Sequence, residues 1–119
     1  MDKINLLEKF NLFNEYWNPK IIGELNGQLV KLVKLKGEFV LHHHDNEDEL
    51  FMVVKGSFKM EYRDKIVEVN EGEIVIVPRG VEHKPVADKE AWIVLLEPAT
   101  TLNTGNVVNE KTKTELETI

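Results

Sequence analysis

GEFVLHHHDNEDELFMVVKG, residues 37–56, holds the pattern that decides how this chain folds. Two glycines bracket two extended apolar segments, 39–44 and 50–54, with a polar run between them. Alternate side chains of an extended strand face the same side, so Val40, His42 and His44 share one face and His43 takes the other. Three of the chain's four histidines stand here, and His83 follows about forty residues later in a turn marked by Pro78 and Gly80. Two imidazoles on one face, the carboxylate of Glu49 and the distant His83 make a plausible ligand set for one transition-metal ion.

The same texture extends outward from this stretch. From Lys20 onward, short apolar segments cover 20–25, 29–35, 58–62, 66–69, 74–77 and 92–96. Turn-forming residues separate them: Asn26-Gly27, Lys36-Gly37, Lys55-Gly56, Arg63-Asp64, Asn70-Glu71-Gly72, Pro78-Arg79-Gly80 and Ala87-Asp88-Lys89-Glu90. Such residues tolerate positive φ or fix a turn. Many short, evenly spaced strands in one small domain predict an all-β antiparallel sandwich or barrel. Phe58, Met60 and Tyr62 alternate with Lys59, Glu61 and Arg63, so that strand has a core face and a water face. Ile74–Val77 is apolar on both faces, which predicts a strand covered on both sides or one set in a subunit interface.

The two ends read differently. Leu6, Phe10, Phe13 and Trp17 recur at helical spacing, predicting a helix over 2–17 with Asp2 as N-cap and Asn18-Pro19 as its stop. That stripe packs on the sheet or on a partner subunit. Asn109–Ile119 has little to bury and reads as a loose tail or a weak helix. The expected organisation is a helix within 1–19, a barrel over 20–100 and a tail over 101–119.

Composition narrows the function classes. The chain has 119 residues, 42% of them hydrophobic and 30% charged. That is enough to bury a core without disulfides or a structural metal, so a metal here is expected to be functional. With no cysteine, thiolate chemistry and cysteine-based zinc sites are excluded. A net charge of −6 argues against nucleic acid, which needs clustered Lys and Arg. No apolar run approaches the roughly 20 residues that span a bilayer, and Met1-Asp2-Lys3-Ile4 lacks the layout of a signal peptide. The expected location is the cytoplasm, with no membrane partner.

The motif spacing carries a resemblance. After Gly37 come His42 and His44, then Glu49 after four intervening residues, then Gly56 after six more. Farther on, Gly72, five residues, Pro78, one residue, Gly80, two residues and His83 follow in order. This is similar to the two sequence motifs of the cupin family and covers roughly residues 37–87. Four rather than five residues separate Gly37 from His42, and Ala87 stands where the second motif usually ends in asparagine. The chain most resembles small single-domain bacterial cupins of the mannose-6-phosphate-isomerase-like group, to which Glu97-Pro98 and Asn103-Thr104-Gly105 are also similar.

The resemblance implies a jelly-roll barrel (a double-stranded β-helix) with a short N-terminal helix, holding one divalent metal ion on His42, His44, Glu49 and His83. Three neutral imidazoles and a carboxylate suit Fe, Mn, Zn, Ni or Co. Four protein donors on an octahedral ion leave two positions open for water or a bidentate substrate. His43 faces away, with a surface or interface role. Tyr62 is the one further catalytic candidate, as an acid or orienting donor, unless it is a core tyrosine with its hydroxyl at the rim. Arg79 reads either as the holder of an anionic substrate or as an exposed turn residue. Glu38 reads as a carboxylate near the mouth, and Trp92 as a core or interface residue.

Two functions stay open. One is a metal-dependent enzyme on a small polar metabolite such as a sugar or keto acid, of isomerase, lyase or dioxygenase type. The other is a non-catalytic module that binds or senses a metal or metabolite. A cavity lined by oriented polar groups favours the first, and one lined only by apolar side chains the second. A homodimer is expected from the resemblance.

Overall fold

Alternating apolar and polar side chains from Lys20 onward form seven antiparallel strands, described by a computed structural model over residues 2–119. They are β1 (Lys20–Leu25), β2 (Gln28–Glu38), β3 (Glu49–Lys55), β4 (Ser57–Glu61), β5 (Ile66–Asn70), β6 (Ile74–Val77) and β7 (Lys84–Pro98). The order β1-β2-β7-β3-β6 makes the larger sheet, while β4 pairs with β5 and with the first part of β7. The chain therefore folds as the expected jelly-roll barrel. β1 and β2 are joined by Asn26 and Gly27, both at positive φ (49° and 78°), the hairpin turn whose twist matches the strands it joins.

β7 is the spine of the barrel. Its second part pairs with β2 and β3, and its first part pairs with β4 and the end of β2. Two expected turns fall inside this pairing. Lys36-Gly37 continues β2, with Gly37 at φ 82°, and Ala87–Glu90 continues β7. The register shifts between Leu35 and Gly37, so these residues form a bulge that bends both strands from one sheet into the other. Segment 39–44, expected as a strand, pairs only through an isolated bridge from His42 to His83.

Two apolar clusters hold the fold. Inside the barrel, Val33, Leu35, Phe51, Val53, Phe58, Met60, Val69, Val77, Ile93 and Leu95 pack together. On the outer face of the larger sheet, Phe10 and Phe13 cover Leu32, Trp92 and Val94. Phe10 is fully buried and stacks on Trp92 at 4.9 Å between ring centroids.

The N-terminal helix, α1, is far shorter than the spacing predicts. It runs Leu6–Phe10, and Asn5 rather than Asp2 caps it by accepting from Glu8 N at 3.0 Å. Beyond it the backbone is satisfied by the sheet instead of by itself: Lys34 Nζ donates to Phe13 O at 2.7 Å, and Trp17 N donates to Lys34 O at 2.9 Å. Trp17, at φ 58°, turns over the sheet and stacks on Phe39 at 4.8 Å. The apolar stripe is thus split between the outer face and the barrel mouth, which one straight helix cannot reach at once.

The C-terminal segment is also no loose tail. Thr104 is fully buried, and Thr118 bridges to Ile21 in β1. Ile21 N donates to Glu117 O at 2.9 Å, Ile119 N to Ile21 O at 3.0 Å, and Lys9 Nζ to Ile119 O at 2.6 Å. Its polar residues satisfy the backbone of a wrapping segment rather than forming a core of their own. Among the described residues no helix is long and apolar enough to cross a membrane.

Candidate metal centre

Backbone pairing brings the site together. His42 N donates to His83 O at 3.0 Å and His83 N donates to His42 O at 2.9 Å. Gly80 N donates to His44 O at 2.7 Å, fixing the second histidine of the pair against the 78–80 turn. Glu49 is the first residue of β3, and its parity with Phe51 and Val53 turns it into the barrel.

His42, His44, Glu49 and His83 are all buried, between 0 and 4% exposed, and each offers one donor atom within 4.8 Å of the others. Donors about 2.0–2.2 Å from a shared ion lie no more than roughly 4.4 Å apart, so only a small inward adjustment separates this cluster from a ligand shell. Residues expected from four points in the sequence converge on one place.

The ring nitrogens are aimed for this. Val40 O and Val81 O lie 2.8 and 2.9 Å from Nδ1 of His42 and His83. A carbonyl only accepts, so each Nδ1 carries the proton and each Nε2 lone pair is left to face the cluster. His44 Nε2 lies 2.8 Å from Glu49 Oε1 yet is buried without a hydrogen-bond partner. A buried nitrogen with no partner is costly unless something else fills the space it faces. A cation accepting that lone pair together with the Glu49 oxygen fits.

Electrostatics favour the ligating forms. Burial, reinforced by the neighbouring His83, holds the His42 imidazole down to about 4 against the opposing pull of its bond to Val40 O, so it is neutral near pH 7. Burial alone would raise the Glu49 carboxyl, but the neighbouring Glu97 side chain and the His44 and His83 imidazoles outweigh it and keep the group well below its usual range.

The other expected residues separate cleanly. His43 faces outward, half-buried, with Nε2 2.9 Å from Asp45. Glu47 and Asp48 face solvent-accessible partners: Thr100 Oγ1 donates to Glu47, and Arg79 N donates to Asp48 Oδ1 at 2.8 Å. Arg79 also pairs with Asp48 through its guanidinium, and Glu38 pairs with Lys84 at 2.6 Å. Tyr62 packs against the barrel core and opens to a different cavity, beside Arg63, Asp64 and Lys65, so the structure does not bring it to the cluster. Its burial raises the phenol. Trp92 packs under Phe10 and donates from Nε1 to Glu90 at 2.7 Å.

A narrow cavity of about 40 Å³ reaches the cluster at His42 and Glu49. Trp17, Pro19, Leu35, Phe39, Phe51 and Leu95 are among its walls, and Glu97 and Asn103 are its other polar side chains. Neither Glu97 nor its partner Lys31 was read from the sequence as a site residue. The signal was there: both are charged residues on the apolar parity of their strands, Lys31 with Val33 and Leu35, Glu97 with Ile93 and Leu95. The latch on His43 was also missed. Asn106 Oδ1 accepts from His43 N at 2.9 Å, Asn106 N donates to His43 O at 3.1 Å, and Gly105 packs beneath them.

Comparison with known proteins agrees with this architecture. The Cupin domain family matches residues 29–97, more than half of the chain. The chain belongs to the cupin family. It is 33% identical over 104 residues to the "Uncharacterized protein YdbB" of Bacillus subtilis (strain 168), covering 78% of this chain and 92% of that protein. The crystal structure of a cupin-2 domain containing protein from Shewanella frigidimarina NCIMB 400 is 45% identical, with a TM-score of 0.79 over 80% of this chain and 93% of the other. Protein NMB1881 from Neisseria meningitidis is 32% identical, with a TM-score of 0.76 over 82% of this chain and all of the other.

Proposed function

We propose that this protein is a metal-dependent enzyme whose substrate is a small metabolite with adjacent oxygens and an apolar body, of the keto-acid type. The observation that carries this reading is the contrast within one cavity, which meets the cluster of four metal-type donors through His42 and Glu49 while apolar side chains form most of the walls. His42, His44, Glu49 and His83 hold a single divalent transition ion. When bound, such an ion supplies Lewis-acid polarisation of a carbonyl or hydroxyl oxygen, or dioxygen chemistry if it is iron.

The chain's own residues do the rest. Trp17, Phe39 and Phe51 exclude water and receive the carbon body of the ligand, while the Asn103 amide offers one donor and one acceptor at the wall. No Lys or Arg lines the cavity, so a phosphate group finds no counter-charge there. That favours a keto acid over a sugar phosphate. Isomerase, lyase and dioxygenase reactions all use such a substrate.

A non-catalytic binding module is the second reading. It is favoured by the placement of Tyr62 in another cavity and by the engagement of Glu97 with Lys31, which leave few free acid–base groups at the site. Incubating Fe(II)- and Mn(II)-loaded protein with 2-oxobutyrate, phenylpyruvate and mannose 6-phosphate, with proton NMR of the products, separates the two. Turnover of an oxo acid that the His42→Ala/His44→Ala variant lacks supports the enzyme. Saturable binding without turnover supports the module. Preference for mannose 6-phosphate overturns the substrate class.

We also take two copies of the chain to pair. Ile74 and Ile76 on β6, at the end of the larger sheet, are 54 and 56% exposed, and they stand across from Met52 and Leu50 on β3. A second copy covering this apolar face accounts for it, and a monomer by light scattering at micromolar concentration speaks against the pairing.

A further inference from the structure

A charged row crosses the inner wall of the barrel beside the metal centre. Leu50 pairs with Leu96 across β3 and β7, so the next position in that antiparallel register sets Glu49 opposite Glu97. On the other side of β7, Leu29 pairs with Glu97 and Lys31 with Leu95, which leaves Lys31 diagonal to Glu97 on the same inward face. Lys31 Nζ donates to Glu97 Oε1 at 2.7 Å, and both side chains are 2% exposed. Glu97 Oε2 is buried without a partner of its own.

Two carboxylates placed side by side in a buried wall repel unless a proton lies between them. Lys31 already occupies Oε1, so the buried, unpartnered Oε2 is the atom left to share a proton with Glu49.

We propose that Glu97, anchored by Lys31, is a positioning residue of the metal centre that orients the Glu49 carboxylate toward His42, His44 and His83. This rests on the metal-site reading above. Losing a partner that orients a ligand through a hydrogen bond typically weakens metal affinity by about 10–100-fold. The arrangement also explains why a Lys–Glu pair is kept in an otherwise apolar barrel, where an ion pair adds little net stability over packed hydrophobic residues.

Glutamine is the conservative probe, since its carbonyl accepts from Lys31 while its amide N–H donates to Glu49. The Lys31→Met/Glu97→Met double variant removes the pair without leaving a lone buried charge, which keeps the barrel folded. Co(II) affinity by chelator competition and the visible Co(II) spectrum are read in wild type, Glu97→Gln and the double variant. Glu97→Gln is expected to match wild type in both, while the double variant melts cooperatively but binds Co(II) about 10–100-fold more weakly with shifted bands. Equal affinity and spectrum in the double variant overturn the proposal, as does a Glu97→Gln protein impaired to the same degree. Wild type that fails to bind Co(II) overturns the metal centre itself, and this inference with it.

Discussion

The backbones of His42 and His83 exchange both of their hydrogen bonds, at 3.0 and 2.9 Å, joining two segments that are far apart in sequence. Two of the four candidate ligands are therefore positioned by main chain rather than by an ion. Removal of metal is expected to leave the fold intact. EDTA-treated protein keeps its far-UV circular dichroism and a cooperative melt, and metal at a thousandfold excess over Kd adds about 4 kcal/mol of stability. A molten or unfolded metal-free protein would show that the ion builds the site.

Gly105 offers a sharper probe of the same positioning. A Cβ there collides with His43 O and meets His42 Cδ2 at 3.1 Å, so Gly105→Ala must push the histidine segment away. Gly27 also has positive φ, 78°, but has nothing within 4 Å. Each alanine carries a left-handed backbone cost of about 1–2 kcal/mol. Gly105→Ala alone is expected to weaken Co(II) binding, by tenfold or more on the order of a lost supporting contact. Matched affinities in the two variants would dismiss the latch.

Much of this was legible in the sequence because strand parity is a local property. His42 and His44 could be placed on one face by alternation, as could the outward turn of His43, and an all-β fold followed from the rhythm of short apolar segments, while the choice of Glu49 and His83 leaned on the motif resemblance. The errors arose where distant chain segments override local preference. Phe10, Phe13 and Trp17 have helical spacing, yet Lys34 satisfies the backbone of Phe13 and Trp17 and the helix stops at Phe10. The polar residues of the C-terminal segment looked unable to bury anything, but they serve the backbones of His43 and Ile21. Glu97 lay just past the apolar segment 92–96 and entered only through the resemblance, and only the register of β3 against β7 reveals it as the neighbour of Glu49.

The outer cluster should be separable from the site. Phe10 lies on the far side of the sheet from the histidines, stacked on Trp92. Phe10→Ala is expected to cost about 3–5 kcal/mol of stability in urea while leaving metal affinity unchanged. Loss of metal binding in protein that is still folded would mean the two faces are coupled.

Acid should weaken the metal-free protein through His42. Its folded value of about 4 lies below the ordinary 6.5, so between these limits the unfolded chain binds the extra proton and stability falls as pH falls. Below both values the loss is complete and the contribution flattens. Subtracting the stability of His42→Gln removes, to first order, the opposing effects of Glu49 and Glu97. From about pH 7.5 to about pH 4.5, wild type should lose roughly 2–3 kcal/mol relative to that variant. A constant difference would show that His42 titrates normally.

Metal content of protein purified without a histidine tag decides the assignment of His42, His44, Glu49 and His83. Wild type should carry about one transition-metal ion per chain after reconstitution, and folded His42→Ala/His44→Ala protein should carry none. Equal metal in both, or none in either, would contradict the site.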